Sequence, residues 1–183
     1  MRKVIIKHSD LPKIRKLYAD KKIVFCSGSF DLIHAGHILF FEDSKNLGDI
    51  LVVSVGPDSD LRKTKGPDRP VLNEKVRLKT IASLKPVDFC LLGKPLPTKG
   101  HIHQPLEHIF KTLSPDIYAV NDDIHDADFR KKLADKHNVK TVLMERWCPP
   151  EFDQISTTRI INKIKGLELI KNSKQAGLED GHV

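Results

Sequence analysis

The chain has few cysteines and no long apolar run. Cys26, Cys90 and Cys148 are an odd number without Cys-x-x-Cys spacing, which argues against a disulfide framework or a zinc knuckle and for a reducing compartment. No apolar stretch approaches the ~20 residues that a membrane span requires, and Met1-Arg2-Lys3 leads into no signal-peptide stretch. We therefore expect a cytoplasmic protein without a membrane partner.

Aromatic residues are also scarce, at 6% of the chain, and they are not interleaved with Lys and Arg as a stacking platform for nucleic acid requires. The formal net charge of +7 is compatible with a nucleic-acid surface or with a pocket for a small polyanion. Because most loop cations cluster in one segment, residues 56–70, we expect the polyanion pocket and no nucleic-acid partner.

What the chain does contain is an alternation of apolar and helical segments over 183 residues, enough for one domain. Five short apolar runs predict strands over 22–26, 50–55, 87–92, 116–120 and 139–144. Helical patterns cover 11–20, 38–47, 73–84, 106–113, 126–137 and 156–164. The alternation predicts an α/β fold, a doubly wound Rossmann-like sheet of five parallel strands with helices on both faces.

Three regions follow from this pattern: an N-terminal helical extension over 1–21, the main domain over 22–168 and a disordered tail over 169–183. Two further segments are interpreted as loops. Residues 56–70 contain three prolines and several cations that could meet phosphate, with Asp58 as a possible Mg²⁺ bridge. Residues 94–105 are rich in Pro, Gly and His, and the sequence assigns them no role.

Chemistry concentrates in the turn after the first of these predicted strands, Gly28-Ser29-Phe30-Asp31-Leu32-Ile33-His34-Ala35-Gly36-His37. The two histidines are three residues apart at a helix start, so both rings lie on one side of the first turn. The glycines allow close approach to the backbone, and free N–H groups at the helix start favour anions. No Glu stands between the histidines and no third ligand is evident, so we expect a polyphosphate site rather than a protein-bound metal.

This turn resembles the signature of the cytidylyltransferase-like nucleotidyltransferases. Ile155-Ser156-Thr157-Thr158-Arg159 is similar to their Ile-Ser-Thr-Thr segment. Lys65-Gly66, Arg69-Pro70-Val71 and Arg77 resemble the heptose 1-phosphate adenylyltransferase branch, whereas Pro115-Asp116-Ile117-Tyr118 and Asp122-Asp123 are closer to glycerol-3-phosphate cytidylyltransferases. The resemblance spans residues 22–165.

The resemblance implies a transfer from ATP or CTP to a sugar or polyol phosphate with release of pyrophosphate, a Mg²⁺ ion on the phosphates and a homodimer. It implies catalytic roles for His34, His37 and Lys65. The implied nucleotide-binding residues are Gly28, Ser29, Phe30, Gly36, Arg69, Ser156, Thr157, Thr158 and Arg159. The implied acceptor-binding residues are Asp31, Arg77, Asp122 and Asp123, with a surface salt bridge as the other interpretation of Arg77.

Three alternatives stay open. The acceptor could be a flavin or coenzyme precursor, the chain could be a basic nucleic-acid-binding module, or it could be a nucleotide sensor without turnover. Asn121 and Ile124 stand where the family commonly has Gly before the Asp pair and Trp or Tyr after it, and residues 149–153 also depart from the common forms. These departures leave the choice of nucleotide and acceptor open.

Overall fold

The computed structural model describes residues 4–99, 101–124, 126–152 and 156–167. Its described residues contain a six-stranded sheet in the order β1-β4-β3-β2-β5-β6, and all neighbouring strands pair in parallel. The strands are β1 (Val4–Ile5), β2 (Ile23–Gly28), β3 (Ile50–Val55), β4 (Phe89–Leu92), β5 (Ile117–Asn121) and β6 (Lys140–Met144). The five predicted parallel strands are therefore confirmed.

The sixth strand corrects the expectation of a purely helical N-terminal extension. Val4 and Ile5 pair with Phe89 and Cys90 and so extend the sheet at its β4 edge. A strand of two residues is too short to produce an alternating pattern, which is why the sequence did not reveal it. The predicted tail, 169–183, lies outside the described residues.

Helices connect the strands, and most were expected. They are α1 (Leu11–Leu17), α2 (Ala35–Asn46), α3 (Asp58–Lys65), α4 (Glu74–Ala82), α5 (Gln104–Leu113), α6 (Ala127–Lys136) and α7 (residues 157–167), with a 3-10 turn at His8–Asp10. The predicted cap of α4 is present, since the Asn73 side chain accepts from the N–H groups of Lys75 and Val76.

Helix α3 corrects the interpretation of residues 56–70 as a loop. Its first turn carries Asp58 and Asp60 and its last turn is basic, which matches the helix dipole at both ends. The helix is followed by its C-cap residue, Gly66, which has a φ of 98°. This backbone conformation is unfavourable for a residue with a side chain. The prolines and glycines that indicated a loop instead mark the two ends of this short helix.

Buried side chains cover both faces of the sheet, as the doubly wound prediction requires. Phe25 and Tyr118 pack with α1, α5 and α6 on one face, whereas Val24 and Cys26 pack with α2 and α4 on the other. In such a sheet the carboxyl ends of the strands form the usual ligand-binding edge. Within the described ranges, no helix has both the length and the apolarity needed to cross a bilayer.

Candidate active site

A cavity of about 1200 Å³ lies at the carboxyl ends of β2, β3 and β5. Fourteen of the sixteen residues that the sequence analysis proposed for the site line it. They are Gly28, Ser29, Phe30, Asp31, His34, Gly36, His37, Lys65, Arg69, Asp123, Ser156, Thr157, Thr158 and Arg159. Arg77 and Asp122 are absent from this lining. The cavity thus brings the first strand–helix turn and the start of α7 together although they are more than a hundred residues apart.

The two signature histidines stand side by side at the start of α2. His34 is the N-cap residue, and its carbonyl accepts from the N–H of His37 at 2.9 Å. Their rings stack with centroids 4.0 Å apart and planes inclined by 29°. The Nδ1 atoms of both rings are buried without a partner in the described structure. The two imidazoles therefore pack against each other, and each keeps a ring nitrogen that makes no hydrogen bond in the described structure.

Burial determines the protonation of this pair. Burial and then the charges of His34, Arg146 and Lys65 lower the pKa of His37 to about 3, although Asp31 opposes the shift. Burial and Arg146 also lower the pKa of His34. In the free protein at neutral pH the rings are neutral hydrogen-bonding groups. The positive charge of the site therefore comes from Lys65, Arg69 and Arg146 rather than from imidazolium.

Asp31 lines the cavity, and its contacts hold the site together, whereas the acceptor-binding role that the resemblance implies stays a prediction. Its fully buried carboxylate accepts from Arg69 Nε at 3.2 Å and from the N–H groups of Val71 and Leu72 at 2.9 and 3.0 Å. Its carbonyl accepts from the Thr157 hydroxyl at 2.6 Å. Asp31 therefore fixes the segment after α3 and the start of α7 against the signature turn.

Arg77 does not reach the cavity as the sequence predicted, because its guanidinium is fully buried and does not line it. It donates to the carbonyls of Leu72, Ser29 and Gly56 at 2.9, 2.5 and 2.7 Å, and to Asp58 Oδ1 at 2.7 Å. The ion pair with Asp58 is buried, so the alternative interpretation of a solvated salt bridge is wrong. The acceptor-binding role of Arg77 stays a prediction. Arg77 instead ties the ends of β2 and β3 to α3 and engages the carboxylate suggested as a Mg²⁺ bridge.

The acidic pair after β5 divides between two environments. Asp123 lines the cavity and forms an ion pair with Arg146 at 3.0 Å, with both side chains more than half exposed. Asp122 contributes a backbone N–H to the Met144 carbonyl. Asp123 therefore lines the cavity and Asp122 does not, and the acceptor-binding roles of both stay predictions.

Gly28 serves the turn in a way that the sequence did not indicate. A Cβ at this position would lie 2.8 Å from Cζ of Phe30. Phe30 itself has a left-handed φ of 47° and packs its ring 4.9 Å from that of Phe41. Glycine at position 28 therefore leaves room for the Phe30 ring, and it also borders the cavity.

The segment after β6, residues 145–152, covers one side of the cavity and was not assigned to the site from sequence. Arg146, Trp147 and Phe152 line the cavity. The indole Nε1 of Trp147 donates to Asp43 Oδ2 at 3.0 Å, which attaches this cover segment to α2. A possible sequence signal was the chain's single Trp standing before the unusual Pro149-Pro150 run.

The described part of residues 94–105, to which the sequence gave no role, forms another wall. Leu96, Ile102 and His103 line the cavity. The Leu96 N–H donates to both carboxylate oxygens of Asp60 at 3.0 and 2.9 Å, so α3 holds this segment in place. The sequence does not indicate this wall, because the wall is anchored by Asp60 in α3, a segment whose prolines and glycines predict a loop.

A parallel sheet whose carboxyl edge carries half-buried imidazoles, a lysine and a hydroxyl-rich helix start fits a nucleotidyltransferase domain. Residues 25–163 match the sequence model of the family described as cytidylyltransferase-like. The chain belongs to this family.

Curated relatives include the bifunctional protein HldE of Campylobacter jejuni (strain RM1221), which is 37% identical over 80% of this chain and 28% of its own length. The protein of the same name from Helicobacter pylori (strain P12) is 33% identical over 85% of this chain and 30% of its own length. The chain thus spans under a third of these relatives.

Two solved structures share the fold. A lipopolysaccharide core biosynthesis protein from Thermoplasma volcanium GSS1 is 31% identical with a TM-score of 0.57, covering 70% of this chain and 99% of that one. The pantoate-beta-alanine ligase from Francisella tularensis also has a TM-score of 0.57, covering 88% of this chain and 78% of its own. At 16% identity the second shows a common fold alone.

Proposed function

We propose that this chain transfers a nucleotidyl group from ATP or CTP to the phosphate of a small sugar phosphate or polyol phosphate and releases pyrophosphate. The observation that carries the proposal is the single cavity shared by His34, His37 and the Ser156–Thr158 segment. The 2.6 Å bond from the Thr157 hydroxyl to the Asp31 carbonyl joins these two elements. Such a cradle suits a triphosphate, because N–H, hydroxyl and lysine donors meet its oxygens from two sides.

The reaction needs no activated side chain. An oxygen of the acceptor phosphate attacks the α-phosphorus, a new P–O bond forms, and the bond to the α–β bridging oxygen breaks. The electron pair leaves with pyrophosphate. What the protein must supply is positioning and stabilisation of charge on the departing oxygens, as in phosphoryl transfer generally. His34, His37 and Lys65 are the groups proposed for this role.

ATP is the favoured donor in this proposal. Lys65-Gly66 and Arg69-Pro70-Val71 resemble the heptose 1-phosphate adenylyltransferase branch, and the relatives named bifunctional protein HldE support that choice. The solved lipopolysaccharide core biosynthesis protein supports a sugar phosphate as the acceptor. CTP is the second candidate through the likeness of Asp122-Asp123 to the glycerol-3-phosphate branch.

A Mg²⁺ ion on the triphosphate is part of the proposal. Among the described residues no cluster of three or more His, Cys, Asp or Glu side chains could cage a metal, and the Asp31 carboxylate is engaged by Arg69 and two backbone N–H groups. These residues fit an ion that takes its ligands from phosphate oxygens and water, as Mg²⁺ commonly does. When bound, the Mg²⁺ ion would offset part of the negative charge of the phosphates.

Pyrophosphate release tests the proposal. ATP and CTP are supplied in turn with Mg²⁺, against hexose 1-phosphates, polyol phosphates and phospho-amines, with reactions lacking acceptor as the baseline. We expect acceptor-dependent pyrophosphate from ATP with a sugar or polyol phosphate. Binding of oligonucleotides that weakens with salt, without turnover of either triphosphate, would instead support the nucleic-acid module.

A further inference from the structure

One part of the cavity lining, beside α5 and α6, has no assigned ligand and is called the α5–α6 lobe. The α5–α6 lobe is lined by Ile102, His103, Leu106, Ile109, Ile124 and Arg130. We propose that this lobe binds the hydroxyl-bearing part of a polyhydroxylated acceptor phosphate, with Arg130 and His103 as the specificity-determining residues. The inference rests on the proposed function and names the acceptor class at the same site.

Arg130 presents a fixed guanidinium to the lobe. Its Nε donates to Asp126 Oδ1 at 2.7 Å and its Nη1 donates to the Tyr118 hydroxyl at 2.9 Å. The side chain is 22% exposed and Tyr118 is fully buried, so the planar group is held by partners on the protein side. A guanidinium already held in place loses little conformational freedom when it donates to a ligand oxygen.

His103 stands beside it and is held equally firmly. The residue is 8% exposed, its ring stacks on Phe129 with centroids 4.3 Å apart, and its Nε2 lies 3.5 Å from Asp126 Oδ2. Burial lowers the pKa of His103, which leaves a neutral imidazole at neutral pH. A neutral ring can donate at one nitrogen and accept at the other, which suits hydroxyl groups.

The position of the lobe favours the acceptor over the nucleobase. The Tyr118 hydroxyl that accepts from Arg130 belongs to β5, which pairs with β2 at Phe25, three residues before Gly28 of the signature turn. The lobe therefore adjoins that turn. Nucleobases bind well to exposed aromatic faces, and the cavity offers such faces at Trp147 and Phe152, in the cover segment. The other walls of the lobe are aliphatic.

The charges of the lobe favour hydroxyls over a cationic amine. Arg130 is itself a cation, and the carboxylate of Asp126 is already paired with it. One face of Phe129 is covered by His103, which reduces the aromatic surface open to an ammonium group. A phosphorylated sugar or polyol can use both the donors and the aliphatic floor, whereas phosphocholine or phosphoethanolamine would meet a like charge.

Steady-state kinetics of two variants test this assignment. Arg130→Met removes the guanidinium, and His103→Phe keeps a ring to stack on Phe129 but removes both nitrogens. Acceptors are glycerol 3-phosphate, ribose 5-phosphate and hexose 1-phosphates, against ethyl phosphate, phosphocholine and phosphoethanolamine. We expect each variant to raise KM for the preferred polyhydroxy acceptor at least about tenfold and to reduce its advantage over ethyl phosphate. KM for the triphosphate should stay within about twofold.

Lys132→Met is the matched control, since Lys132 is an exposed residue of the same helix outside the cavity lining. Thermal unfolding of each variant checks the fold, and His103→Phe keeps the test decisive if Arg130→Met is unstable. Preference of the wild type for a phospho-amine, failure of every polyhydroxy phosphate to bind, or a variant that raises only the triphosphate KM would overturn the inference. Triphosphate binding, titrated separately, decides whether the proposed function itself has failed.

Discussion

At the scale of single residues, the signature histidines are most informative through their burial. Because both are neutral in the free protein, we expect them to act as N–H donors whose hydrogen bonds strengthen where negative charge develops. We expect His37→Ala to lower kcat by ~10²–10³ while the protein stays folded, since removing one such donor has an effect of this size. Steady-state turnover measures this.

The control for His37→Ala is Glu42→Ala, which removes an exposed side chain of the same helix outside the cavity lining. Its turnover should equal that of the wild type, and both variants should unfold at similar temperatures. Full activity of a folded His37→Ala enzyme would contradict the role given to the pair.

Arg77 acts at the same scale through stability rather than chemistry. Its fully buried guanidinium satisfies three backbone carbonyls and the Asp58 carboxylate, so its removal leaves a poorly solvated charge and several unpaired acceptors. We expect Arg77→Met to lower the free energy of unfolding by about 3–5 kcal/mol. Urea titration measures it, with exposed Lys75→Met on the same helix as the control, and a loss below about 1 kcal/mol would refute this role.

At the scale of elements, the cover segment connects β6 to α2. Trp147 lines the cavity and donates through its indole N–H to Asp43, on the helix that begins with His34. If the indole also stacks on the nucleobase, Trp147→Ala should raise KM for the triphosphate at least about tenfold, because stacking contributes ~1–3 kcal/mol per base. The KM for the acceptor should stay nearly unchanged. Trp147→Phe keeps a ring but loses the donor, so its effect should be smaller.

The same residue provides a direct binding signal, because Trp147 is the chain's single tryptophan. Titration with ATP or CTP should change the fluorescence of Trp147 and so give a Kd. Asp43→Asn keeps an oxygen that can accept from the indole, so it should alter this Kd little. An unchanged triphosphate KM in Trp147→Ala would place the base elsewhere.

Elements also show what the sequence could and could not predict. Strand β3 (Ile50–Val55) could be predicted because it is a nearly continuous apolar run, as a strand covered on both faces requires. All six of its residues are buried in the structure. Strand β1 and helix α3 were missed because one is two residues long and the other is enclosed by prolines and glycines. The meeting of His37 with Thr157 in one cavity agreed with the resemblance, whereas Arg130 and His103 carry no local signal, since their contacts depend on how α5 and α6 pack.

At the scale of the whole molecule, five imidazoles share one property. Burial is the first cause that lowers the pKa of His8, His34, His37, His103 and His108 from the ordinary value of 6.5. Below that value the unfolded chain binds protons that the folded chain does not. The free energy of unfolding therefore falls as pH drops through about 6.5, and for His37 the loss continues toward pH 3.

Thermal unfolding between pH 8 and pH 5 should accordingly show a Tm that declines below about pH 7. His37→Gln, which cannot take up this proton, should show a shallower decline than the wild type. A Tm that stays level or rises on acidification would contradict the assignment of neutral buried rings.

A polyphosphate at this site should reverse part of the effect, because its negative charge raises the pKa of the imidazoles beside it. Binding of ATP or CTP would then be accompanied by proton uptake, most strongly near pH 6, and would protect the fold more at pH 6 than at pH 8. Calorimetric titration in two buffers of different ionisation enthalpy measures that uptake, and His37→Gln should reduce it. A triphosphate that binds with no proton uptake at pH 6 would show that His34 and His37 stay neutral in the complex, and it would contradict the predicted rise of their pKa.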